Sequence, residues 1–343
     1  MKERFLCYRM LVFTPSTRMH GIGQEDRSRM GIWILVAGAI VIMVLSSRVD
    51  YPWTLFLGEH PRPVFVRVMG QSIFEGESFG GVDPVMLFLM VVAAAYYLAW
   101  KKKSETLICR RPHFGFILTC AIVGGIYMVH SLKWILGRAR PESVIHGGLP
   151  FTEWPRLGLH FVTEGIYRGA FPSGHTAEAM ILFTVAYIFA QTPGRSTVQR
   201  VFGWGWGAAA LLYALAVGIG RCMALSHWLT DVTGAIVLSW IIYHVLFHRV
   251  LRVPEQIRYY HAYGRLPDAP PVWELQLCGY LFGVVLGGSA LLIGLRGIGL
   301  GESAGFIWLS FAGALLGIWV SWRMVLFYRK ILMGFTRVPV DNG

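Results

Sequence analysis

"LQLCGYLFGVVLGGSALLIGL", residues 275 to 295, runs for 21 residues without a charge. A helix rises about 1.5 Å per residue, so such a run crosses a hydrocarbon core about 30 Å thick. A buried soluble core accounts for one or two runs of this kind. This chain has eight, at Met30–Ser47, Pro84–Trp100, Phe114–Leu132, Ala177–Phe189, Val201–Ile219, Trp228–Phe247, Leu275–Leu295 and Gly305–Phe327. The fourth is short and borrows the start of its helix from Ser173 onward. The pattern predicts an all-α fold, a polytopic membrane helix bundle of about eight transmembrane helices.

Composition agrees. Of 343 residues, 55% are hydrophobic and the net charge is +12. A basic chain raises the question of nucleic acid, and the placement of the charge answers it. With eight spans and the N-terminus inside, 20 of the 31 Lys and Arg fall in cytoplasmic segments and 10 in outer ones, with Arg323 inside the last span. That bias fits the positive-inside rule and puts both termini in the cytoplasm. No basic-aromatic pattern of a nucleic-acid module is present. Five cysteines lie far apart without a CxxC pair, so neither a zinc site nor a disulfide framework is indicated. No small-residue cleavage site follows the first apolar run, which reads as a helix that stays; Met19 is an alternative start.

Three long breaks divide the runs. Ser47–Asp83 is rich in Gly and acids, Lys133–Pro172 in Pro and Gly, and Val253–Pro271 holds four prolines. Breaks of that length inside a compact body are functional or disordered. The expected layout is a cytoplasmic segment 1–29, a membrane domain 30–250, a linker 251–274 and a C-terminal hairpin with tail, 275–343. The glycine-rich "GLRGIGLGESAG" at 294–305 lacks the strand-turn-helix setting of a dinucleotide site and reads as an interhelical loop.

Charge beside apolar helices is costly unless it serves something. Three clusters stand out: "KWILGRARP" with Lys133, Arg138, Arg140 and Pro141; "FPSGHT" at 171–176; and "GRCMALSHWLTDV" with Arg221, His227 and Asp231. The topology places all three on one face. Lys133 and Arg140, seven apart, share a face if the helix continues. With Arg221 they suit a dianionic phosphate. Pro172 opens a helix whose Ser173 and Gly174 offer backbone N–H groups to an anion. His227 and Asp231 are four apart and can touch, which fixes a tautomer and leaves one ring nitrogen as a nucleophile. His175 is then free to act as an acid. Taken singly, the cations read as interfacial anchors, "PSGH" as a helix cap and His227–Asp231 as a structural pair. Their joint occurrence on one face argues for a phosphate site.

The three clusters resemble the signature of the type 2 phosphatidic acid phosphatase superfamily, which also includes vanadium-dependent haloperoxidases. Lys133 is followed by six residues and Arg140-Pro141. Pro172-Ser173-Gly174-His175 is complete. Arg221 is followed by five residues, His227, three more and Asp231. Gly220 stands where the family often has serine, and the departure is expected to matter little. The resemblance covers about residues 84–247 and leaves the hairpin outside. It implies that Lys133, Arg140, Ser173, Gly174 and Arg221 bind phosphate, that His227 attacks phosphorus with Asp231 orienting it, and that His175 protonates the leaving oxygen. The motifs hold no acid besides Asp231, so no metal and no cofactor are expected.

The implied function is an integral membrane phosphatase acting on a lipid phosphate or pyrophosphate at the outer face of a bacterial-type inner membrane. Candidate substrates are phosphatidic acid, phosphatidylglycerol phosphate, undecaprenyl pyrophosphate and lipid A. A phosphotransferase passing the group to another lipid uses the same residues. A haloperoxidase has no need of eight spans, and a transporter needs its charges mid-span rather than at span ends.

Overall fold

The computed structural model describes residues 22–101, 104–163 and 165–336. The N-terminal residues 1–21, with Cys7 and the alternative start Met19, lie outside the described residues, as do 102–103, 164 and 337–343.

Seven stretches are long and apolar enough to cross a membrane: Val36–Glu59, Asp83–Trp100, Glu105–Ile145, Thr197–Met223, Leu229–Tyr263, Trp273–Gly299 and Gly305–Phe335. The protein is an all-α, multi-pass membrane bundle. Its helices are α1 (Ile22–Glu59), α2 (Asp83–Trp100), α3 (105–136), α4 (174–191), α5 (Thr197–Met223), α6 (229–250), α7 (Val253–Tyr263), α8 (Trp273–Gly299) and α9 (Gly305–Thr336). A two-residue hairpin pairs Phe161–Val162 with Gly165–Ile166, in the register Phe161 to Ile166.

The fourth apolar run is α4, which is missing from those seven because it is short and carries His175, Glu178 and Gln191. It passes from α-helix (Gly174–Ala179) through a 3-10 stretch (Met180–Phe183) to a π-helical end (Tyr187–Gln191). It is also the innermost helix. Ala177, Ala179, Met180, Ile181, Phe183, Ala186 and Tyr187 are all buried. Neighbouring helices cover it on most sides, so small and large side chains alternate along it to fit them. Around it pack Phe116 of α3 and Phe247 of α6, whose rings lie 5.9 and 5.3 Å from that of Tyr187. The lipid side is as apolar as the core: Leu212, Ile318 and Trp308 are among many exposed large hydrophobics, as a bilayer allows.

The break read at Ser47–Asp83 is shorter than expected. Helix α1 continues to Glu59, through Arg48, Asp50 and Pro52. The polar stretch remains helical because Asp50 faces inward and meets an arginine there. The Val253–Pro271 break also contains structure. Helix α7 is amphipathic and buries Val253, Gln256 and Ile257. At the other end, α8 runs through to Gly299, so only the tail of the glycine-rich stretch is a loop. Helices α8 and α9 form the expected hairpin. It is tied to the bundle by hydrogen bonds from Tyr96 Oη to Glu274 Oε2 (2.9 Å) and from Tyr127 Oη to the Cys278 carbonyl (3.1 Å). Cys109, Cys120, Cys222 and Cys278 are buried thiols, not disulfides.

Candidate active site

The three charged clusters meet at one end of the bundle, and backbone hydrogen bonds join them. Ser173 N donates to the Asp231 carbonyl (3.0 Å), Glu142 N to Leu225 (3.0 Å), Gly169 N to Lys133 (2.9 Å) and Ala170 N to Arg138 (2.7 Å). Trp228 Nε1 donates to the Ala139 carbonyl at 2.7 Å. The first cluster is thereby fixed to both others.

Lys133 and Arg140 do not share a continuing helix. Helix α3 ends at Leu136, and Gly137 caps it with a left-handed φ of +58°. A Cβ on Gly137 would lie within bonding range of the Leu159 carbonyl oxygen, so a side chain there would force the loop apart. Arg140 then starts a short helical turn, Pro141–Ile145. Lys133 is 5% exposed and Arg140 is half-buried. Among the described residues, neither side chain meets a carboxylate or carbonyl within hydrogen-bonding distance.

Ser173 is the N-cap of α4. Its Oγ accepts from Thr176 Oγ1 at 2.9 Å and from Thr176 N at 3.5 Å. Its own N–H is taken by Asp231, contrary to the expectation that it is free. The open donors of this first turn are those of Gly174 and His175, which have no partner among the described residues. His175 Nε2 is buried without a hydrogen bond.

His227 and Asp231 touch, but not across a helix face. His227 lies just before α6, and Asp231 sits in its first turn. Asp231 Oδ2 accepts from Trp228 N (2.8 Å) and lies 3.4 Å from His227 Nδ1. The carboxylate thus caps the helix and orients the ring together. Burial, then Lys133, Arg221 and Arg140, hold His227 well below the usual histidine range. The charges of Lys133, Arg221 and Arg140 all act on this one ring.

Three side chains at this site escaped the sequence reading. Arg138, counted there in the first charged cluster, turns away from the pocket. Nη1 donates to Asp231 Oδ1 (2.8 Å) and Nη2 to Asp50 of α1, while Nε donates to the Thr152 carbonyl (3.0 Å). Its guanidinium lies 5.7 Å from the Phe151 ring and 5.5 Å from that of Trp228. With a bond from Nη1 to Thr230 Oγ1, four of its five N–H groups are engaged. Asp50 also accepts from Thr230 N (2.9 Å) and Thr230 Oγ1 (2.6 Å). The third is Glu75, whose Oε2 is 3.0 Å from Arg221 Nη1 and 3.6 Å from His175 Nε2. Asp50 and Glu75 carry no local sequence signal, because their partners lie from 88 to 180 positions away.

Residues 114–254 match the PAP2 superfamily. That segment belongs to the family. That segment contains all eight motif residues, and the match suggests phosphatase or phosphotransferase activity. No solved structure matches the chain. The PAP2 segment excludes Asp50, Glu75 and the hairpin, so this chain's pocket draws on residues outside the family's core.

The Gly220 departure has a structural reason, against the expectation that it matters little. Gly220 packs backbone to backbone on Gly70, and a Cβ on it would lie 3.0 Å from Gly70 N. Arg221 Nη1 donates to the Gly70 carbonyl at 2.7 Å. The glycine lets the outer segment approach closely enough to hold the arginine.

Proposed function

We propose that the protein is a lipid phosphate or pyrophosphate phosphatase working through a phosphohistidine, with its site on the outer face of a bacterial-type inner membrane. One observation carries the reading: Lys133 is buried and, among the described residues, forms no ion pair, while its charge acts with those of Arg140 and Arg221 on His227. A buried cation without a partner is costly, and a phosphoryl dianion removes that cost. The open N–H groups of Gly174 and His175 add donors at a helix start.

The steps follow from the residues. Neutral His227 attacks phosphorus through Nε2 while Nδ1–H stays on Asp231. The bond from phosphorus to the leaving oxygen breaks, and His175 gives that oxygen a proton. The arriving dianion offsets Arg221 and Lys133 and so favours a proton on His175. The cations stabilise the equatorial oxygens as charge redistributes. Water then attacks the phosphohistidine, with His175 as base, and releases phosphate. Glu75, Asp50 and Asp231 are each engaged by an arginine, which supports a reaction without metal.

Both termini lie in the cytoplasm in this reading, as the charge bias supports, and the bilayer supplies the substrate laterally. The test is phosphate release by purified protein from phosphatidic acid, phosphatidylglycerol phosphate, undecaprenyl pyrophosphate and lipid A, with and without chelator. A labelled donor separates free phosphate from phosphate passed to a second lipid. Hydrolysis of none of them, or full loss with chelator, would overturn the reading.

A further inference from the structure

We infer that Glu75 is a tethered competitor for the phosphate seat. Its carboxylate occupies the place of a phosphoryl oxygen on Arg221 in the empty enzyme, and its return helps expel the product. The inference rests on the phosphate-seat reading above.

Glu75 ends a short turn, Ile73–Glu75, in the segment between α1 and α2. The segment's base is fixed. The Asp83 carboxylate accepts from Ser72 Oγ (2.6 Å), Ile73 N (3.1 Å) and Gly80 N (2.9 Å). Beyond that base the residues from Glu75 to Phe79 are exposed. The Glu75 side chain remains 45% exposed, whereas those of Arg221 and His175 are about nine-tenths buried. A carboxylate therefore reaches in from the mouth and meets two groups assigned to phosphate.

Two other roles fit less well. Glu75 is not required to hold Arg221, because the Gly70 carbonyl already does so from the buried side. Nor is it placed as a proton partner for His175, since 3.6 Å is beyond a hydrogen bond. Competition fits the charge balance. The seat gathers Lys133, Arg140 and Arg221, which bind product phosphate as well as substrate. A carboxylate on a short fixed loop acts at an effective concentration of roughly millimolar or above. It reoccupies Arg221 as phosphate leaves and limits product inhibition.

Orthophosphate binding to the purified full-length protein, measured by calorimetry, tests this. Glu75→Gln and Glu75→Ala should each bind phosphate about tenfold more tightly than the wild type, the scale of one partly exposed ion pair. Arg221→Ala should weaken binding in every background. If both Glu75 variants bind phosphate no more tightly while Arg221→Ala still weakens it, Glu75 is no competitor and the seat stands. If Arg221→Ala changes nothing, the seat itself is wrong, and this inference fails with it.

Discussion

Arg138 offers the sharpest test of how the pocket is built, because it lies in the first charged cluster and sequence alone gives it no role. In the structure it bridges two buried carboxylates, Asp50 and Asp231, and is itself 2% exposed. Arg138→Met keeps much of the length and removes the charge. Both carboxylates would then face each other without a cation, and a buried pair broken on one side costs about 3–5 kcal/mol. The cluster behind His227 carries two acids against one arginine, so a net negative charge supports the imidazolium formed on attack. Asp50→Asn removes one of the two charges yet leaves Asp231 paired. Hence Arg138→Met should be strongly destabilised, and adding Asp50→Asn should recover part of the loss, a non-additive coupling. Denaturant or thermal unfolding of the four proteins in detergent reads this directly. An Arg138→Met protein within about 1 kcal/mol of the wild type, with weaker phosphate binding instead, would refute the bridge and put Arg138 in the seat.

Other outcomes are expected. His227→Ala should abolish turnover on every substrate, whereas the defect of His175→Ala, about 10²–10⁴-fold on a lipid monophosphate, should shrink on a nitrophenyl ester; equal defects on both would remove the acid role. Gly220→Ser, which restores the family's usual residue, should destabilise by about 1–3 kcal/mol through the clash with Gly70, and an unchanged unfolding midpoint would contradict that packing.

The legible part of this protein is whatever spacing along the chain records. Apolar runs registered the helices, and three motifs registered the eight residues that the fold brings together. The misread parts depend on partners distant in sequence. Nothing local marks Ser47 to Glu59 as helix, since a run with Arg48 and Asp50 looks like a loop until Arg138 neutralises Asp50 from 88 positions away. The 3-10 and π stretches of α4 follow from packing by its neighbours, which no window on α4 itself contains. Lys133 and Arg140 do converge, but through the Gly137 cap rather than along one helix face.

The hairpin shows the same limit from the other side. It carries no motif residue and lies beyond the PAP2 segment, so sequence reads it as an appendage. Yet Arg296 of α8 donates to the Ile135 carbonyl at 2.8 Å and to that of Gly158. Those carbonyls bracket the Gly137 turn that separates Lys133 from Arg140. A guanidinium bonded to both strands of that loop fixes their spacing, and with it the distance between two of the pocket's cations. Position in the chain therefore does not separate scaffold from site here. Helix α1 supplies Asp50 behind the nucleophile candidate, the outer segment supplies Glu75 at the mouth, and the hairpin braces the loop that carries Lys133 and Arg140. The PAP2 segment holds the groups proposed to react, and the flanking helices contribute charge and contacts around them.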